Sequence, residues 1–192
     1  MSILNSESKV CNRAKNTEGK DTHAHLQSQL QEIMLFLLVG IFLLHIITFA
    51  LLLAATIENS WWTTGSMSTD IWSQWLWNGV QWNNTELPPN YPEDYLHAVQ
   101  ASSILACVFS GIGLFVFLAQ LFTLPKGKRF ILSGAFQLLA CLCIMIAASI
   151  YTDIFHKNEK GWYGPSFIIA WLSFALTFVS CAIYFVLRKK TT

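Results

Sequence analysis

The chain has 192 residues, 54% hydrophobic and only 12% charged, with a mean hydropathy of +0.45 and a formal net charge of +1. A soluble domain carries about 25% charged residues, so composition argues against one. The near-neutral balance lacks the basic surplus that a nucleic-acid partner requires.

Residues 1–32 come first and are polar, with four basic and four acidic side chains. They contain neither an apolar core nor a small-residue cleavage site, so they are no secretory signal. They read as a flexible cytoplasmic extension. His23 and His25 have no cysteine or carboxylate partner at ligand spacing and make no metal site. Cys11 is an acylation candidate, but it lies far from the first apolar run.

Four apolar runs follow: Ile33–Ala55, Ala98–Phe122, Phe130–Tyr151 and Pro165–Leu187, none with Asp, Glu, Lys or Arg. A membrane-crossing helix needs about 20 apolar residues. Barrel strands would alternate, and these runs are continuous. The expected fold is therefore membrane all-α, with transmembrane helices at 33–55, 98–122, 130–151 and 165–187, a first loop at 56–97 and a tail at 188–192.

Inside the spans, His45 lies midway along the first. It could relay protons, yet no span offers a carboxylate partner, so a neutral packing histidine is the favoured reading. Gln120 and Gln137 can bond across helices, at about 0.6 kcal/mol each. Ala106 and Ser110, like Ser166 and Ala170, are four apart, and Gly111, Gly113 and Gly134 add close-approach positions. Cys107, Cys141, Cys143 and Cys181 sit within the spans as apolar thiols. This is equipment for a compact helix bundle. No nucleophile–base pair, metal cluster or phosphate-cradling glycine loop is visible, so neither catalysis nor a cofactor is expected.

Of the 12 lysines and arginines, ten fall before the first span, in the second loop and in the tail, and two in the third loop. The positive-inside rule then places both termini and the second loop in the cytoplasm. The first and third loops then face outward or into the ER lumen.

The first loop holds "NSWWTTGSMSTDIWSQWLWNGVQWNNTEL" (59–87), with six of the eight tryptophans and no lysine, arginine or cysteine. Trp61 and Trp62 follow the span directly. They read as an aromatic membrane belt or as packing beneath a sheet. Strand alternation puts Trp75 and Trp77 of "WLW" on one face. With Trp82, they are either structural packing or a partner patch. Asn83-Asn84-Thr85 is an N-glycosylation sequon, expected to be used at Asn83. "WSQW" has the W-x-x-W pattern of tryptophan C-mannosylation, which makes Trp72 a weak candidate acceptor. Glu58, Asp70, Glu86, Glu93 and Asp94 give the loop an acidic surface, read as ordinary solvation or as attraction for a basic partner.

The second loop, "TLPKGKRF", brings Lys126, Lys128 and Arg129 to anionic headgroups. Arg188, Lys189 and Lys190 do the same in the tail as a stop-transfer cluster. The two lysines also resemble a di-lysine ER-retrieval signal.

Several stretches together resemble the peripheral myelin protein 22 / epithelial membrane protein family of the claudin-like tetraspan group. They are "ATIENSWW" (55–62), "DIW" (70–72), "AVQA" (98–101), "QLFTLPKGKRF" (120–130), "CLCIMIAASIYTD" (141–153), "AWLSFALTFVS" (170–180) and "YFVLRKK" (184–190). The resemblance implies a left-handed four-helix bundle topped by a small extracellular β-sheet built from the first loop, with Trp72 at the sheet's base. It implies no enzymatic activity. Its members influence adhesion, proliferation, membrane blebbing and partner trafficking, including integrin display. The family starts near the position of Met34, so residues 1–33 are expected to be an upstream-start or lineage-specific addition. Its first loop also carries a cysteine pair, whose first member falls at Trp75 here. That disulfide is therefore absent. Such a staple is worth roughly 2–4 kcal/mol, which one or two packed tryptophans could offset.

The functional expectation is a non-enzymatic tetraspan organiser at the plasma membrane. It would contact membrane lipids and other integral membrane proteins, an integrin-type receptor or a channel, and itself as a homo-oligomer. The alternatives are a claudin-like adhesion or junction protein, and an auxiliary subunit of a channel or receptor.

Overall fold

In the computed structural model, the described residues are 2–58, 60–89, 91–123, 131–157 and 159–191, with side chains described from His25 to Val186. The elements run α1 (Ser2–Ile57), β1 (Trp62–Thr63), β2 (Met67–Thr69), β3 (Gln74–Trp77), β4 (Trp82–Thr85), α2 (Glu93–Thr123), α3 (Ile131–Ile154), β5 (Trp162–Tyr163) and α4 (Pro165–Thr191). By contacts the chain divides into Met1–Ile41 and Phe42–Thr192.

The first unit is the leading part of α1. It is helical where an unstructured extension at 1–32 is expected. Leu, Gln and Glu dominate "LQSQLQE" (26–32). These are good helix formers, and no proline precedes Pro88 to stop the helix. Polarity alone does not mark a helix boundary.

Four helices are long and apolar enough to cross a membrane: His25–Ile57, Glu93–Thr123, Ile131–Ile154 and Pro165–Val186. Each covers its expected run over the residues whose side chains are described; the first and second overshoot theirs at both ends and the third at its C-terminal end. The chain is a multi-pass membrane protein. Helix α2 opens just after Pro92 with Glu93 and Asp94 in its first turn, where negative charge meets the positive dipole end. Helix α4 opens on Pro165, whose fixed φ suits the first helical position.

The interior of the bundle is polar in one layer and apolar above it. His45 is fully buried. Its Nε2 lies 3.0 Å from the Ser110 carbonyl and its Nδ1 3.1 Å from the Tyr184 hydroxyl. A carbonyl only accepts, so Nε2 carries the proton and Nδ1 accepts from Tyr184. Gln137 donates to Thr48 at 3.3 Å, and Ser133 donates to Gln120 at 3.0 Å. These bonds join α1, α2, α3 and α4 to one another. Small residues allow the approach: a Cβ on Gly113 would meet His45 and Phe136 at 3.3 Å, and one on Gly134 would meet Tyr184 at 3.1 Å. Cys107, Cys141, Cys143 and Cys181 are free thiols. Cys11, Lys126, Lys128, Arg129, Arg188, Lys189 and Lys190 lie outside the residues whose side chains are described.

The sheet has five antiparallel strands in the order β4-β3-β2-β1-β5. Four come from the first loop, as the resemblance implies. The fifth comes from the third loop, where Trp162 pairs with Thr63 and Tyr163 with Trp62. Gly161 makes that pairing feasible, because a Cβ there would sit 2.7 Å from the Thr63 carbonyl. Residues 78–81 form the β3–β4 turn, closed by the Asn78 N–H on the Gln81 carbonyl at 3.2 Å. The Asn78 side chain accepts from the N–H groups of Val80 and Gln81, both at 2.9 Å, and Gly79 takes φ 94°. Asn-Gly is a strong hairpin signal.

Candidate functional site

The sheet-bearing end of the bundle gathers the loop's tryptophans, and the structure gives them distinct tasks. A helix leaves its last carbonyls without partners. At the end of α1, Glu58 N–H bonds the Ala54 carbonyl at 2.9 Å. The Trp61 indole N–H donates to the Ala55 carbonyl at 2.7 Å, and that of Trp72 to the Thr56 carbonyl at 2.8 Å. Two indoles thus cap one helix. Trp61 is fully buried, edge-on to Tyr151 at 4.8 Å and to Phe167 at 5.8 Å. It belongs to the protein core and not to a membrane belt, because the sheet and α4 close over it. Trp72 is 43% exposed and lies outside the strands, at the sheet's base.

Asp70 holds the turn that delivers Trp72. Its carboxylate accepts from the N–H groups of Trp72 and Ser73, both at 2.5 Å, and from the Ser73 hydroxyl at 3.2 Å. At 5% exposure, Asp70 leaves the acidic surface to which composition assigns it. A short side chain capping its own turn is the reason.

Trp62 lies on the inner face of the sheet. It stacks on His156 at 4.5 Å and 8°, and meets Tyr163 edge-on at 5.2 Å. His156 follows α3 with φ 60°, a left-handed conformation that marks the end of a helix. Its Nδ1 is 2.6 Å from the Glu159 carboxylate, and its Nε2 is 3.0 Å from the Tyr151 hydroxyl and 3.3 Å from that of Tyr91. A carboxylate only accepts, so Nδ1 carries the proton and Nε2 accepts from a tyrosine. Neither His156 nor this network was singled out in the sequence. A lone histidine at a helix end carries no pattern until the fold brings Trp62 and Tyr91 to it.

Burial holds His156 below its ordinary 6.5, against the opposing pull of Glu159. Burial also pushes the Tyr91 phenol above its usual range. The folded protein resists protonating His156 while the unfolded chain does not. Its contribution to stability is therefore complete above about pH 6.5 and is lost as pH falls through the folded value. Thermal melts between about pH 7 and pH 5 should show Tm falling with acidification. His156→Asn, which tolerates the left-handed backbone, should flatten that slope.

The remaining tryptophans lie on the outer face. Trp77 and Trp82 face each other across β3 and β4, with centroids 5.6 Å apart and 41% and 46% exposed. Trp75 shares their face one pair along, opposite Asn84, and its indole nitrogen is buried without a hydrogen bond. An aromatic cross-strand pair therefore joins the two strands that a disulfide would staple at this position. Such pairs contribute about 0.5–1.5 kcal/mol, less than the bond they would replace. A double-mutant cycle on Trp77→Ala and Trp82→Ala should give a coupling of about 1 kcal/mol in that range. If Trp75→Ala and Trp77→Ala each fold and reach the cell surface normally, these indoles do not substitute for the staple.

Asn83 is half-buried on the edge strand β4 and accepts from Gln81 at 3.2 Å. It pairs with Leu76, which places it on the face opposite Trp77 and Trp82. No group of three metal-ligating side chains occurs among the described residues.

The profile of the PMP-22/EMP/MP20/Claudin family matches residues 34–184. Epithelial membrane protein 2 of Bos taurus is 46% identical over 169 residues, covering 82% of this chain and 99% of that protein. The Homo sapiens protein of the same name is 43% identical over 169 residues with the same coverage. Epithelial membrane protein 1 of Oryctolagus cuniculus is 42% identical over 163 residues, covering 82% of this chain and all of that protein. The 43–46% identity to proteins named epithelial membrane protein 2 agrees with the resemblance carried by "CLCIMIAASIYTD" (141–153). Four membrane-crossing helices, an antiparallel sheet at one end and similarity over most of its length show that this chain belongs to the PMP-22/EMP/MP20/claudin family of tetraspan membrane proteins.

Proposed function

We propose that this protein is a non-enzymatic membrane organiser that acts laterally on other integral membrane proteins. An adhesion receptor of integrin type or a channel fits the role, with consequences for receptor display, membrane blebbing and cell growth. The observation that supports it most is how the bundle's interior polar groups are used. His45, Tyr184, Gln137, Thr48, Gln120 and Ser133 bond to one another or to the Ser110 carbonyl, while the Ser110 hydroxyl and the Gln137 amide oxygen are buried without a hydrogen bond. They tie helix to helix instead of lining a path for ions or protons. Large apolar side chains such as Phe115 and Phe178, 75% and 58% exposed, point outward from α2 and α4, toward lipid or a neighbouring span.

In this reading the protein sits in the plasma membrane with both termini in the cytoplasm. The sheet faces outward, and the basic residues of the second loop and tail meet headgroups. Asn83 carries a glycan, and glycosidase treatment should increase mobility on a gel. Asn83→Gln should remove that shift, and the shift's absence from the wild type would place the sheet on the wrong side.

Crosslinking in intact cells, followed by purification, tests the lateral role. Recovery of one adhesion receptor or channel from the same cell supports it. Aggregation of expressing cells without such a partner favours the claudin-like adhesion reading instead.

A further inference from the structure

Strand register sorts the residues of the sheet onto two faces. Trp62, Met67 and Thr69 point into the core. The row behind them, running across β5, β1, β2, β3 and β4, is Trp162, Thr63, Ser68, Trp75 and Asn84. Trp77 and Trp82 extend the Trp75 end of that row. The outer face thus has an indole at each end, 62% exposed at Trp162 and 41–46% at the Trp77–Trp82 pair. The Thr63 and Ser68 hydroxyls lie between, Asn84 lies beyond Trp75 on β4 with its amide N–H donating to Ser73 at 3.1 Å, and none of these residues carries a charge.

Three observations decide what such a face would hold. Its exposed indole area is roughly 370 Å², taking about 250 Å² per tryptophan. A stable protein–protein interface needs about 800 Å² per partner, so these three tryptophans alone supply less than half of what a docked protein or second copy would bury and suit a smaller ligand. Without ionisable groups, the face offers no electrostatic attraction to an acidic or basic ligand. Its two aromatic ends are three strand spacings apart to Trp77 and four to Trp82, about 14–19 Å, with Thr63 and Ser68 in between. Flat indoles accept the C–H faces of pyranose rings, and hydroxyl and amide groups bond sugar hydroxyls. The span matches an oligosaccharide of a few rings.

We propose that the outer face of this sheet is a binding site for a neutral oligosaccharide, with Trp162 at one end and Trp77 and Trp82 at the other as stacking platforms. Thr63 and Asn84 supply hydrogen bonds along the row. The site goes beyond the lateral role and needs only that the sheet face outward. Asn83 lies on the opposite face, so a glycan there would not start from this surface.

The test uses the full chain in phosphatidylcholine nanodiscs on an array of neutral, sialylated and sulfated oligosaccharides. The expected result is saturable binding confined to neutral glycans. Trp162→Ala and Trp77→Ala should each weaken it at least tenfold, while Trp77→Tyr keeps most of it, and Trp162→Ala and Trp77→Tyr retain the wild-type melting profile. The proposal is overturned if no neutral glycan binds saturably, if sialylated or sulfated glycans bind better, or if Trp162→Ala binds as the wild type does. Sedimentation with phosphatidylcholine vesicles through this face would overturn it in favour of a membrane surface. The Asn83 glycosidase shift reads the sheet's orientation separately, so a failed topology is distinguishable from a failed site.

Discussion

Trp61→Ala is expected to destabilise the protein by about 3–5 kcal/mol, the usual cost of truncating a buried tryptophan. A loss of that size corresponds to a fall in Tm on the order of 10 °C. Three contributions add. The indole is fully buried, it packs edge-on against Tyr151 and Phe167, and its N–H caps the Ala55 carbonyl. Removing the ring leaves a cavity where α1, α3, α4 and the sheet meet, and leaves a helix-end carbonyl without its donor. Trp61→Phe separates these effects, since it keeps most of the packing and loses the hydrogen bond. It should cost about 1–2 kcal/mol. Melting of purified protein and the fraction reaching the cell surface both read the result. A Trp61→Ala protein as stable as the wild type would show that this ring does not hold the sheet to the bundle.

Gly164→Ala should be comparably severe, on the order of 3 kcal/mol, through overpacking instead of a cavity. A Cβ on Gly164 would overlap the backbone carbonyl of Ser60 and lie 2.5 Å from its hydroxyl. Backbone cannot swing aside as a side chain can. The approach is fixed from both sides by two hydrogen bonds: Gly164 N–H to the Trp61 carbonyl at 2.9 Å, and Ser166 N–H to the Ser60 carbonyl at 3.0 Å. These join the start of α4 to the exit of α1, so the strain cannot relax without parting the two. Gly65→Ala is the control. Nothing lies within 4 Å of its Cβ position, and its effect should stay within about 0.5 kcal/mol. Equal melting temperatures for the two variants would contradict this account.

The spans were the most legible part of the sequence, because a bilayer demands a long charge-free run and says nothing about neighbours. Helix ends were less legible. Polar segments such as "LQSQLQE" (26–32) continue a helix past the apolar run. Within the first loop, the shared face of Trp75 and Trp77 followed from strand alternation. Trp61 read ambiguously because a helix-capping indole and a membrane-belt indole look alike until the helix end is in place. Asp70 read as surface charge because its capping bonds reach only two and three residues away, and an exposed aspartate would show the same letters.

By itself, then, the sequence determined four membrane-crossing helices, the charge asymmetry of the loops, the sequon and the family. Each depends on a local run or motif. Only the tertiary structure decided that the third loop contributes a strand and that His156 sits among Trp62, Tyr91, Tyr151 and Glu159. It alone decided that six loop tryptophans divide into two caps for α1, one inner-face ring on His156 and an outer row completed by Trp162. Those outcomes depend on register and on contacts between residues nearly a hundred positions apart. The physical chemistry of one indole is the same in each place, and what differs is the carbonyl, ring or solvent that the fold sets against it.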